Sequence, residues 1–155
     1  LQSGQLQLLK LCIEGNWTMR IEDWSNIEHF KPDELTAWGS PNAWGDPLKM
    51  NLAFMLLLDR FRDDLGFPFY VHCGYDLEGH AKKSLHKIGG AGDGSCPTLG
   101  SPWLLFEQAI KYPFTQIGVY EHWNNPGVHL GLHGHGWAEP KTLWWRDREG
   151  EYHYF

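Results

Sequence analysis

The sequence predicts an α+β domain in which a small antiparallel sheet packs against helices. Three observations carry this reading. The helical pattern comes early, between residues 46 and 65, and the strand-like runs come later and are short. Their connections are too brief for helical crossovers, which favours antiparallel pairing. The chain has 155 residues and 42% hydrophobic content, enough for one core and one domain. We assign residues 1–20 to an N-terminal extension, poorly ordered at its start, and residues 21–155 to the single domain.

Pro32, Asp33 and Glu34 look like a helix start, with proline in the first turn and acids suited to the helix dipole. Gly39, Pro41 and Gly45 mark a loop. Asp46 and Pro47 then open the strongest helix pattern: Asp46 can cap, and Leu48, Leu52, Met55 and Leu56 give an apolar face. Gly66 ends it. The run from Phe67 to Cys73 is aromatic and β-branched, hence a strand. Pro102 to Lys111 predicts a second helix. Gln116–His122 and Gly127–His133 predict two strands joined by a turn-forming run, Trp123 to Pro126. Tyr152 to Phe155 is the expected last strand.

Composition narrows the function classes. A net charge of -6 with no Lys/Arg block argues against nucleic-acid binding. No stretch approaches the length of a membrane span, and no signal peptide is visible in this chain. The 9 Trp point to a core or cleft built from flat aromatic surfaces. Cys12, Cys73 and Cys96 form no C-x-x-C motif, so a cysteine zinc site is not expected; one disulfide or free thiols remain open.

The run from Ser84 to Asp93 carries the chemistry. His86 and Asp93 are seven residues apart, with Gly89, Gly90 and Gly92 between them. That separation suits neither one helical face nor one face of a flat strand. Both side chains reach one metal ion only if the chain turns at the glycines and enters a strand at Ala91. A third ligand is expected from His129, in the alternating run Gly127 to Leu132. His133 and His135 follow at even offsets on the same prospective face, although Gly134 and Gly136 interrupt the strand there. Two imidazoles and one carboxylate are the donor set of a catalytic rather than a structural zinc.

Ser84, His86, Gly89, Ala91 and Asp93 reproduce the S-x-H-x-x-G-x-A-x-D pattern of the zinc D-Ala-D-Ala carboxypeptidases and their L-alanyl-D-glutamate endopeptidase relatives. A chance match in a chain of this size is on the order of one in ten thousand at average residue usage. Phe30 to Leu35 and Val71 to Tyr75 resemble the family's opening helix and its Gly-Tyr strand end, so the resemblance runs from about Ile27 to about Trp145. It implies a hedgehog/DD-peptidase-like fold and a Zn2+ held by His86, Asp93 and His129. It also implies a peptidoglycan stem peptide as substrate, met by a monomer in the periplasmic or extracellular cell-wall space of a bacterium or as a phage product. Ser84, Tyr75 and Trp123 are the expected substrate contacts.

This sequence also departs from the family's pattern. The acid common three residues before the last ligand is Pro126, the Arg common after the Gly-Tyr pair is Asp76, and the Asp often two residues after the last ligand is Gly131. With a hairpin loop of Trp123 to Pro126, His122 pairs with Gly127, Tyr120 pairs with His129, and His122 faces the metal. His122 is then the expected base, or Glu121 if the register shifts by one. Two readings stay open: a zinc metallopeptidase, carboxypeptidase or endopeptidase, and a weak or inactive zinc-bearing domain that binds cell-wall peptide or a protein partner.

Overall fold

A computed structural model describes residues 17–133 and 141–155. They form an α+β fold: one six-stranded sheet, two α-helices and three short 3-10 helices. The strands are β1 (Tyr70–Cys73), β2 (Ala91–Ser95), β3 (Gln116–Tyr120), β4 (Gly127–Gly131), β5 (Thr142–Arg146) and β6 (Tyr152–Tyr154). Their order across the sheet is β1-β2-β4-β3-β5-β6. Every pairing is antiparallel except β3 with β5, so the sheet is mixed rather than purely antiparallel. The parallel pair arises because the chain crosses from β4 at one side of β3 to β5 at the other.

Helix α1 (Leu52–Leu65) starts six residues after Asp46. Asp46 Oδ1 instead accepts the Leu48 N–H at 2.9 Å, and Asn51 caps the helix by accepting from Phe54 N–H at 3.0 Å. Residues before the helix are drawn into tertiary pairing: Met19 N–H donates to Met50 O and Asn51 N–H to Gly89 O. The buried face is centred on Phe54, Met55, Leu57, Leu58 and Phe61, while Leu52 and Leu56 are half-buried against it and Leu48 is exposed. Gly66 closes the helix in the left-handed conformation, as expected.

No helix forms at Pro32. Glu34 caps a turn by accepting from Lys31 N–H, and Ala37 N–H is taken by Val71 O of β1. A 3-10 helix spans Ile21–Asn26 instead, and Trp44 packs in the core edge-on to Phe30 and tilted against Trp24. Met19 is 2% exposed, so the chain joins the core before residue 21; residues 1–16 of the expected extension, with Cys12, lie outside the described residues. Helix α2 (Pro102–Ala109) buries Leu105 and Ala109 in the same core as α1, together with Val71, Ile117, Val119, Val128 and Leu130. Both helices therefore cover one face of the sheet. The alternate residues of the strands point to the other face.

Candidate metal centre

That other face carries a continuous lateral row. Cys73 pairs with Asp93, Asp93 with His129, His129 with Gly118, Gly118 with Trp144, and Trp144 with Tyr154. Cross-strand partners share a face, so one row across all six strands brings a thiol, a carboxylate, an imidazole and two aromatic rings side by side. Cys73 enters this row through a bulge in β1: Val71 and Cys73 oppose the adjacent residues Gly94 and Asp93.

His86 reaches the row from above. It sits in a 3-10 helix, Leu85–Ile88, whose first turn is capped by Ser84 Oγ accepting from His86 N–H at 3.2 Å. Gly89 ends that helix at φ 69°, and a Cβ there would meet Lys49 O at 1.9 Å. Glycine thus permits both the left-handed turn and the close docking of the loop on the segment before α1. The chain then enters β2 at Ala91, as the spacing predicts.

The result is a tight triangle of donor atoms. His86 Nε2 lies 3.2 Å from Asp93 Oδ1 and 3.2 Å from His129 Nδ1, and His129 Nδ1 lies 2.9 Å from Asp93 Oδ1. Ligands about 2.0–2.2 Å from a tetrahedral ion stand about 3.3–3.6 Å from one another, so the triangle need open only slightly to admit one. Each imidazole is oriented from behind: His86 Nδ1 lies 2.7 Å from Gly74 O, and His129 Nε2 lies 3.1 Å from Gln116 Oε1. With those outer nitrogens donating, Nε2 of His86 and Nδ1 of His129 turn lone pairs inward. These residues fit a divalent cation.

The electrostatics agree. Burial would raise the Asp93 carboxyl, but hydrogen bonds from His129 and His86 hold it well below the usual carboxylate range. Burial pushes His86 down, yet hydrogen bonds to Asp93 and Cys73 carry it up to about 10. Burial holds His129 below its ordinary value. Without metal, the carboxylate and the two imidazoles are thus held together by a shared proton where a cation would stand.

A cleft of about 610 Å³ opens over the triangle, walled by His80, Tyr120, Trp123, Trp144, Arg146 and Tyr152 among others. Across Asp93 and Trp123, which line both, a second hollow of about 550 Å³ is walled by Trp38 and His72. Trp144 lies beside His129, ring centroids 5.2 Å apart, because Gly118 leaves room: a Cβ there would sit 2.4 Å from the indole. The Trp144 indole N–H donates to Tyr120 Oη at 3.0 Å.

The expected base positions fall elsewhere. Tyr120 pairs with Gly127 and Gly118 with His129, two residues from the expected register. The two-residue shift preserves the faces but carries Glu121 and His122 off the end of β3. Glu121 Oε2 accepts from the Trp103 indole at 3.3 Å, His122 is exposed beside it, and neither lines the cleft. Tyr75 packs against the core, its N–H bonded to Trp44 O, and does not line the cleft. Ser84 lines it while capping His86, and Trp123 lines it stacked on Tyr120 at 4.1 Å. His133 is exposed and stands outside the triangle, and His135 lies outside the described residues.

Sequence reasoning missed Gln116, Trp144, Arg146 and His80. The alternation Thr142, Trp144, Arg146 was a usable signal of a strand with one polar and aromatic face. Cys73 and Cys96 are free thiols. No protein-family model matches this chain, and no curated protein matches it either.

Proposed function

We propose that this chain is a zinc-dependent metallopeptidase of the hedgehog/DD-peptidase type, acting on D-amino-acid-containing stem peptides of peptidoglycan in the cell-wall space. The observation that carries the reading is the oriented donor triangle of His86, Asp93 and His129, reached through the motif whose resemblance implies the same three ligands. When bound, zinc supplies a Lewis acid for the scissile carbonyl and lowers the pKa of water towards neutrality. The chain's own residues do the rest. Gly74 O and Gln116 Oε1 hold the two imidazoles in the ligating tautomer.

Tyr120 is the best-placed hydrogen-bond donor for a developing oxyanion. Its oxygen accepts from Trp144, its hydroxyl also meets Tyr152, and burial raises its pKa, keeping the proton at neutral pH; a substrate oxyanion would take that proton in place of Tyr152. Arg146 brings a cation to the cleft wall, held by its Nε–H to Gly150 O and by stacking over Tyr152. It is suited to a substrate carboxylate, in place of the Arg that Asp76 replaces. The hollows on either side of Asp93 accommodate an extended peptide crossing the metal.

One observation favours a binding domain instead: Glu121 and His122 do not line the cleft, so neither stands ready to take a proton there. Hydrolysis of D-Ala-D-Ala and of purified peptidoglycan by zinc-loaded protein, against chelator-treated protein, separates the two. Turnover that is lost on chelation and restored by zinc supports the peptidase. Peptide binding without turnover establishes the binding domain.

A further inference from the structure

A second cluster of ligating side chains lies behind His86. Cys73 Sγ is 3.9 Å from Asp76 Oδ2 and 3.9 Å from His80 Nε2, and His80 Nε2 is 3.3 Å from Asp76 Oδ2. The same three atoms close every edge. We propose that Cys73 Sγ, Asp76 Oδ2 and His80 Nε2 form a second divalent-metal site, selective for a thiophilic ion such as zinc, cobalt or cadmium. This site does not depend on the peptidase reading.

The edges match coordination better than hydrogen bonding. A thiolate about 2.3 Å and N/O ligands about 2.0–2.2 Å from one tetrahedral ion stand about 3.3–3.7 Å apart, so the sulfur edges of 3.9 Å need close only slightly on an ion. Contacts of 3.9 Å to sulfur are long for hydrogen bonds, so the thiol is held beside the His80–Asp76 pair by the fold rather than by its own bonds. The β1 bulge directs Cys73 to this side. Asp76 Oδ1 is occupied by the Glu78 N–H at 2.9 Å, leaving Oδ2 to face His80. The His80 ring is fixed by stacking on His86, centroids 4.3 Å apart and planes 21° apart.

The side chains of Asp76 and His80 are 41% and 23% exposed, so an ion and a completing water can enter from solvent. A soft thiolate in the set favours zinc, cobalt or cadmium over magnesium or calcium. His86 Nδ1 is also 3.9 Å from Cys73 Sγ, but it is engaged by Gly74 O, and the ring's Nε2 serves the first centre. Two dications on either side of one imidazole repel, so filling either site weakens the other, and the triangle, whose imidazoles are oriented from behind, fills first.

The test is a cobalt(II) titration of the metal-free chain, followed by visible and near-ultraviolet absorption. A thiolate-to-cobalt charge-transfer band should grow with the second equivalent. Cys73→Ser should remove the band while keeping the first equivalent, and Asp76→Asn and His80→Ala should each weaken the second equivalent by at least tenfold. A variant carrying both Asp93→Ala and His129→Ala should lose the first centre and keep the band, so failure of either site is read apart from the other. Circular dichroism establishes that each variant is folded. Absence of the band in folded parent protein at several equivalents would overturn the proposal. So would a band that survives Cys73→Ser, which would assign it to another thiol, or one that vanishes in the double variant, which would make the thiolate part of the first centre.

Discussion

The two faces of this one sheet are built from alternate residues of the same strands, yet they obey different physics. Val71, Ile117, Val119, Val128 and Leu130 face the helices and are fully buried, and what matters there is volume and apolar area. One residue away along β3 and β4, and past the bulge in β1, Gly118, His129 and Cys73 face the cleft with Asp93 and Trp144, and what matters there is the position of single atoms. On the helix face a changed side chain should cost stability and little else. On the cleft face it should cost metal or turnover and little stability.

The largest expected effect lies on the helix face. Phe54 packs on Phe114 and touches the backbone of β2 at Gly92, so Phe54→Ala should destabilise the fold by ~3–5 kcal/mol. Denaturant titration checks this, and the fraction that stays folded should still bind metal. A loss under about 0.5 kcal/mol, the size of ordinary surface changes, would mean that the two faces are not divided as described.

On the cleft face, Asp93→Ala should abolish stoichiometric zinc binding, because it removes one ligand and the acceptor shared by both imidazoles. Gln116→Leu should be milder, weakening zinc by roughly 10–100-fold through loss of the group that orients His129. Competition with a chromophoric chelator measures both. Equal losses in the two variants would show that Gln116 is more than an orienting group.

A pH measurement sharpens the comparison further. His86 is carried up to about 10 in the metal-free protein, so at neutral pH a cation must displace its proton. Zinc affinity should therefore rise by about tenfold per pH unit below that value, with about one proton released per ion. The metal-free fold responds in the opposite sense. A raised histidine pKa contributes stability that is fully present below about 6.5 and lost as pH rises through about 10. Calorimetry in buffers of different ionisation enthalpy reads the proton count, and a count near zero would contradict the shared proton.

The smallest effects are expected at the hairpin. Under the proposed peptidase reading, Glu121→Ala and His122→Ala should leave zinc affinity and turnover on stem peptides within about twofold of the parent, and stability within about 0.5 kcal/mol. A large loss of turnover in either would restore these residues to the chemistry despite their place outside the cleft.

What the sequence made legible follows the same division. The convergence of His86 and Asp93 was readable because their spacing is a geometric constraint: a loop, a left-handed glycine and a strand entrance bring two residues seven apart to one point. The α+β class was readable from patterning. The register of β3 on β4 was not, because Asn124, Asn125 and Pro126 mark a turn without fixing its length, and two residues of slack moved His122 out of the site. The start of α1 was misread because a local signal at Asp46 lost to long-range pairing of Met50 and Asn51 with Met19 and Gly89. The parallel pairing of β5 depends on a partner distant in sequence, which local alternation cannot name.

X-ray absorption at the zinc edge, on protein loaded with one equivalent, tests the central claim most directly. The account predicts a first shell of nitrogen and oxygen only, with ligands at about 2.0–2.2 Å and the outer-ring scattering of two imidazoles. Sulfur at about 2.3 Å in that first equivalent, or a shell without imidazole, would contradict the assignment of His86, Asp93 and His129 as the primary metal centre.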